Sequence, residues 1–128
     1  MLDANICIRV LRNRPPEARQ RFRMEADTLA VSAIVFHELL YGAARSDDPP
    51  TQRRKTEAFV SHLTLLAFDD RAADHAASIK ADLAAKGQLI GPNDLLIAGH
   101  ARSLGLTLIT NNLREFSRAD GLRCEDWL

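Results

Sequence analysis

Five short apolar segments, each set against a helical pattern with its own start or stop signal, constrain this chain more than any other feature. Met1-Leu2 and residues 28–31, 65–68, 106–109 and 122–127 read as strands. Helical patterns occupy residues 6–11, 17–25, 33–44, 51–63 and 71–86, and a last one runs from Gly91-Pro92 to Gly105. Ser32 is placed to cap the third helix, Gly87 to stop the fifth, and Pro92 to open the sixth. Arg14-Pro15-Pro16 and Ser46-Asp47-Asp48-Pro49-Pro50 are turn clusters between helices. Strands alternating with helices predict a three-layer α/β domain around a mainly parallel sheet of four to five strands flanked by helices. The 128 residues match the length of one ordinary domain, so the expectation is a single domain over 1–128.

In such sheets the ligand crevice lies beyond the carboxyl ends of the strands. That rule singles out Asp3, after the first strand, and Thr110-Asn111-Asn112, after the fourth. Two further acids stand on helices that the pattern predicts to be buried. Glu38 lies within Ile34-Val35-Phe36-His37-Glu38-Leu39-Leu40-Tyr41, which is apolar nearly all round. Asp94 starts a helix that continues Leu95-Leu96-Ile97-Ala98, with Gly99 inside it pointing to close helix packing. Each acid has an ordinary reading: Glu38 on a strip facing water, Asp94 as a helix-start acid favoured by the dipole, Asp3 as a strand-end or helix-cap residue. An ionised carboxylate on a buried element is costly unless it is paired or bound to a metal. The expectation is therefore that Asp3, Glu38 and Asp94 converge at one end of the sheet. Three carboxylates at close range repel, and a divalent cation removes that conflict. Only oxygen ligands are on offer, which points to Mg²⁺ or Mn²⁺ rather than zinc. A metal-held water poised against a phosphate suits phosphodiester hydrolysis.

Other classes of chemistry lack their residues. His37-Glu38 begins a zinc-protease helix motif, but Tyr41 stands where the second histidine belongs. There is no Gly-x-x-x-x-Gly-Lys loop, no Gly-x-Gly-x-x-Gly and no Gly-x-Ser-x-Gly. His62, His75 and His100 have no partner at metal spacing and read as surface or satisfied core residues. Lys+Arg and Asp+Glu are both 17, which excludes a strongly basic nucleic-acid coat. Local groups remain: Arg9, Arg12, Arg14, Arg19, Arg21 and Arg23 near the amino end, then Arg53-Arg54-Lys55. Arg102 and Arg114 flank the proposed pocket in sequence. No apolar run approaches the ~18 residues of a membrane span. The two cysteines, Cys7 and Cys124, have no paired spacing, so a reduced, cytoplasmic protein is the expectation.

Leu2-Asp3-Ala4-Asn5, Glu38-Leu39-Leu40-Tyr41-Gly42-Ala43, Ile90-Gly91-Pro92-Asn93-Asp94 with Ile97-Ala98, and Thr110-Asn111-Asn112 with Glu115-Phe116 follow one another in that order. This series resembles the motifs of the PIN-domain ribonucleases, most closely the VapC-type toxins of bacterial toxin–antitoxin pairs, over nearly the whole chain. The resemblance implies a PIN-like fold and a Mg²⁺- or Mn²⁺-dependent endoribonuclease toxin. Such a toxin cleaves structured RNA of the tRNA or rRNA class and inhibits translation. It further implies a homodimer and a cognate VapB-type antitoxin. The implied catalytic acids are Asp3, Glu38 and Asp94, with Asp3 and Asp94 as direct metal ligands. Asn5, Thr110, Asn112 and Glu115 are the candidates for supporting positions. Two departures from the family pattern bear on activity. Ala4 stands where the family usually has Thr, and Asn112 where many members carry an acid, with Glu115 the nearest acid in its place. A thinned site of this kind leaves a second reading, a PIN-like RNA- or protein-binding module that cleaves weakly or not at all. A DNA-specific nuclease is disfavoured by the neutral charge.

Overall fold

Backbone hydrogen bonds join the five apolar segments into one parallel array. The computed structural model describes residues 1–12 and 16–127. Strand β1 (Ala30–Ser32) runs parallel to β2 (Thr64–Leu66), with Val31 opposite Leu65. Strand β3 (Leu108–Ile109) runs parallel to β4 (Cys124–Glu125). Residues 1–3 lie between the two pairs. The Leu2 N–H donates to the Ala30 carbonyl at 2.9 Å, the Asp3 N–H to the Ile109 carbonyl at 2.9 Å, and the Ile109 N–H to the Met1 carbonyl at 2.8 Å. Leu2 makes a parallel bridge to Ile109. Numbered along the chain, the five segments stand in the order 3-2-1-4-5. The connections diverge between segments 1 and 4, and that divergence is where an α/β sheet opens a crevice. Asp3 closes segment 1 and Thr110 follows β3, so both stand at its mouth.

The predicted strands are present but shorter and shifted by a residue or two. Residues 26–28 form a 3-10 turn instead of extending β1, and β2 stops at Leu66. The helices are α1 (Ala4–Arg12), α2 (Pro16–Glu25), α3 (Ala33–Ala44), α4 (Pro49–Val60), α5 (Asp70–Ala85) and α6 (Pro92–Ser103). A one-turn helix, α7 (Leu113–Phe116), was not expected from the pattern because four residues carry no periodicity. Helix starts follow local capping chemistry. Ser32 Oγ accepts from the Ile34 N–H at 3.1 Å, Asp48 Oδ1 from Thr51 at 3.3 Å and Asp69 Oδ1 from Ala72 at 2.9 Å. Past the end of α5, Gly87 takes φ +65°, a left-handed turn that a side chain would strain. In the expected break at Arg14-Pro15-Pro16, Arg14 and Pro15 lie outside the described residues, and Pro16 opens α2.

Leu2, Ile6, Val31, Val35, Ile97, Leu108 and Phe116 are fully enclosed and form the centre of the core. As the sequence implied, α6 is mostly buried. Gly99 lies against the Ala76 backbone of α5, so close that an added Cβ would stand 2.6 Å from the Ala76 Cβ. The expectation for α3 needs correction. Only Val35, Leu39 and Ala43 are buried, one residue per turn, while Tyr41 is 58% exposed. Its neighbours α1, α4 and α6 cover one stripe of the helix and leave the rest open. Cys7 and Cys124 are both free thiols. Among the described residues no helix is long and apolar enough to cross a membrane.

Candidate active site

The first acid is held by the sheet itself. Asp3 is 4% exposed. Its Oδ1 accepts the Ala4 backbone N–H at 2.8 Å, and its Oδ2 accepts the Thr110 hydroxyl at 2.9 Å. Thr110 Oγ1 in turn accepts the Asn112 N–H at 2.9 Å. Both Asp3 oxygens are thus held, one by the backbone amide of Ala4 and one by Thr110 from the neighbouring strand end. Burial lifts the Asp3 carboxyl above its ordinary range, and these two hydrogen bonds partly oppose the rise.

Glu38 sits on α3, six residues past its Ser32 cap. Burial raises its carboxyl first, then the Asp3 charge, while the His37 charge and a hydrogen bond from the Asn93 side chain oppose the rise. Its Oε1 is buried with no hydrogen-bond partner among the described residues. Asp94 occupies the first turn of α6, where the helix dipole should hold a carboxyl low. Its carboxyl is instead pushed from 3.8 up to about 7, by burial first, then by the Asp3 charge, by Glu115 and by Glu38. Burial and the neighbouring acids together outweigh the dipole at this point. Glu115 reaches the group from α7, near enough for its charge to raise Asp94. The Asn112 side chain donates to Glu115 Oε2 at 3.1 Å.

The fold therefore brings Asp3, Glu38 and Asp94 to one end of the sheet, with Thr110, Asn112 and Glu115 attached by hydrogen bonds. Asn5 is exposed on the first turn of α1, and no hydrogen bond ties it to the acids among the described residues. Arg102 does not face the site. Its Nε donates to His75 Nδ1 and its Nη1 to the Asp120 carbonyl, both at 2.9 Å, so it ties α5 to a surface turn. Arg114 is exposed beside Glu115. Of the basic groups, Arg21 pairs with Glu25 and Glu125 and Arg53 pairs with Glu57; Arg14 lies outside the described residues. His75 and His100 are satisfied and His62 is exposed, as expected. The residue that sequence reasoning missed is Asn93. Its only signal was its place beside Asp94 in the first turn of α6.

The donors suit a hard cation. All are oxygens, and Glu38 Oε1 is a buried acceptor still to be satisfied. Among the described residues no three His, Cys, Asp or Glu side chains are grouped tightly enough to enclose an ion. A cleft of about 630 Å³ opens beside Glu38, with Arg12, Gln52 and Lys55 on its walls.

The PIN domain family model matches residues 1–122. The tRNA(fMet)-specific endonuclease VapC of Shigella flexneri is 46% identical over 127 residues, covering 99% of this chain and 96% of the relative. Ribonuclease VapC2 of Haemophilus influenzae is 48% identical, covering 100% of this chain and 97% of the relative. The crystal structure of DNA-bound VapBC from Salmonella typhimurium superposes with a TM-score of 0.95 at 46% identity, covering 100% of this chain and 97% of that one. With its fold and nearly its full length matched, the chain belongs to the PIN domain family, among the VapC ribonucleases.

Proposed function

We propose that the chain is an endoribonuclease toxin that requires Mg²⁺ or Mn²⁺, cuts structured RNA of the tRNA class and thereby inhibits translation. The observation that carries this reading is the buried Asp3 carboxylate, held by Ala4 and Thr110, together with a buried Glu38 Oε1 that has no partner among the described residues; Asp94 lies near enough for both acids to raise its carboxyl. The substrate class rests on the Shigella relative, whose name specifies tRNA(fMet). The VapBC structure neighbours support a VapB-type antitoxin as the partner that neutralises the activity.

Asp3 and Asp94 would hold the ion, one from the sheet and one from α6. A bound divalent ion would offset the carboxylate repulsion, lower the pKa of a bound water and stabilise charge on the scissile phosphate. Thr110 keeps one Asp3 oxygen in a fixed direction. Asn112 holds Glu115 towards Asp94, and Asn93 holds Glu38. The free Glu38 Oε1 is the atom available to orient the attacking water or take its proton.

Thr110→Val keeps the side-chain shape and removes the hydroxyl that Asp3 Oδ2 accepts. Mn²⁺ affinity, measured by calorimetry, should fall by about 10–100-fold, the usual effect of losing a ligand's supporting hydrogen bond. Unchanged affinity would place Asp3 outside the ion's coordination. The function itself is tested by incubating purified total tRNA with the antitoxin-free protein in Mg²⁺ and in EDTA. Discrete cleavage in Mg²⁺ and none in EDTA is the expected result. Chelator-insensitive cleavage would reject the metal requirement, and binding without cleavage would favour the RNA-binding module.

A further inference from the structure

Apart from the acids and their immediate supports, the fold encloses a polar pair. His100 on α6 is 2% exposed and Ser32 is fully enclosed. His100 Nδ1 and Ser32 Oγ are 2.8 Å apart. Ser32 Oγ already accepts the Ile34 N–H at the start of α3, so its hydroxyl proton is free to donate to an unprotonated Nδ1. Burial favours the neutral imidazole, against an opposing charge at Asp69. The Phe68 ring meets the imidazole edge-on, with ring centroids 5.4 Å apart, and fixes its plane. Nothing in this pair touches the acids, and a leucine–alanine contact would fill the same space without a buried polar cost.

Its place in the fold gives it a use. Ser32 stands six residues before Glu38 at the head of α3, and His100 six residues after Asp94 on α6. At 1.5 Å per residue, each acid is about 9 Å along its helix from the pair. The two helices leave this point in opposite chain directions, and both lead to the acids.

We propose that the Ser32–His100 hydrogen bond is a latch that sets the spacing of Glu38 and Asp94, making Ser32 and His100 positioning residues for the metal site. A van der Waals contact would let α3 slide against α6, whereas one directional bond gives a single register. Because Asp94 is a proposed ligand and Glu38 acts beside it, slack in the latch weakens ion binding before it weakens the fold. This inference rests on the metal-dependent reading of the site.

The test compares wild type, His100→Leu, His100→Asn and Ser32→Ala by Mn²⁺ calorimetry and thermal melting. In the Asn variant the side-chain carbonyl takes the place of Nδ1 as acceptor of the Ser32 hydroxyl. Mn²⁺ affinity should drop about tenfold in His100→Leu and in Ser32→Ala and return to within about threefold of wild type in His100→Asn. Should His100→Leu fail to fold, His100→Ala, which leaves Ser32 and its cap on α3 intact, carries the comparison with His100→Asn. Wild-type affinity in folded His100→Leu or Ser32→Ala, or an equal loss in His100→Asn, would overturn the latch. If wild type itself binds no Mn²⁺, the metal-dependent reading fails first and the latch with it.

Discussion

Asp94→Asn should reduce RNA cleavage by about 10³-fold or more and at the same time make the metal-free protein more stable at pH 8. The second effect follows from the sign of the carboxyl's shift. Its pKa is near 3.8 when unfolded and about 7 when folded, so the folded state holds the proton more tightly. The ionised side chain is then a liability of the fold. It is absent below about pH 3.8, grows as the pH climbs and is complete above about pH 7. Asp94 is only half-buried, and solvent screens the repulsion, so the gain on removing the charge is about 1–2 kcal/mol rather than the full equivalent of the shift. That corresponds to a rise in melting temperature of roughly 3–8 °C at pH 8. At pH 4 the difference between wild type and variant should nearly vanish. Melts at the two pH values, without divalent ions, check this. A variant less stable than wild type at pH 8 would mean that Asp94 is paired in the metal-free fold.

Gly99→Ala should destabilise the protein by about 3 kcal/mol, though helix propensity alone predicts a gain of about 1 kcal/mol. Packing decides the sign. The new Cβ would stand 2.6 Å from the Ala76 Cβ and closer still to the Ala76 backbone. Overpacking of this kind commonly costs about 1–3 kcal/mol and sometimes more. Since the obstruction is mainly backbone, adding Ala76→Gly should recover little, and α5 would have to move away from α6. Urea unfolding of the two variants tests this, and a Gly99→Ala protein as stable as wild type would contradict the close approach. The same shift would move the helix that carries Asp94, so cleavage should fall with stability.

What could be read from the sequence were the features set by local chemistry. Ser32 announced the start of α3, Gly87 the end of α5, and Pro92 the start of α6. Gly99, costly inside a helix, pointed to close helix packing, though not to α5 as the partner. The acids Asp3, Glu38 and Asp94 stood out because each interrupted an apolar element. What could not be read were relations between distant residues. The burial of α3 depended on how much of it α1, α4 and α6 could cover, and they cover one stripe. The contact between Glu115 and Asp94 joins two helices through no local signal. Ser32 could be read as a cap, but its second bond, to His100, spans 68 residues. Arg102 was close to the site in sequence, yet it turns away to His75. The bond from Thr110 to Asp3 spans 107 residues and had no local signal.

On the proposed function, Asp3 from the sheet and Asp94 from α6 hold one hard cation, with Glu38 of α3 beside it. Calorimetric titration of Mn²⁺ into antitoxin-free wild type and Asp94→Asn at pH 8 tests it most directly. The account predicts saturable binding to wild type and at least a hundredfold weaker binding to the variant. Equal affinity in the two proteins would contradict it.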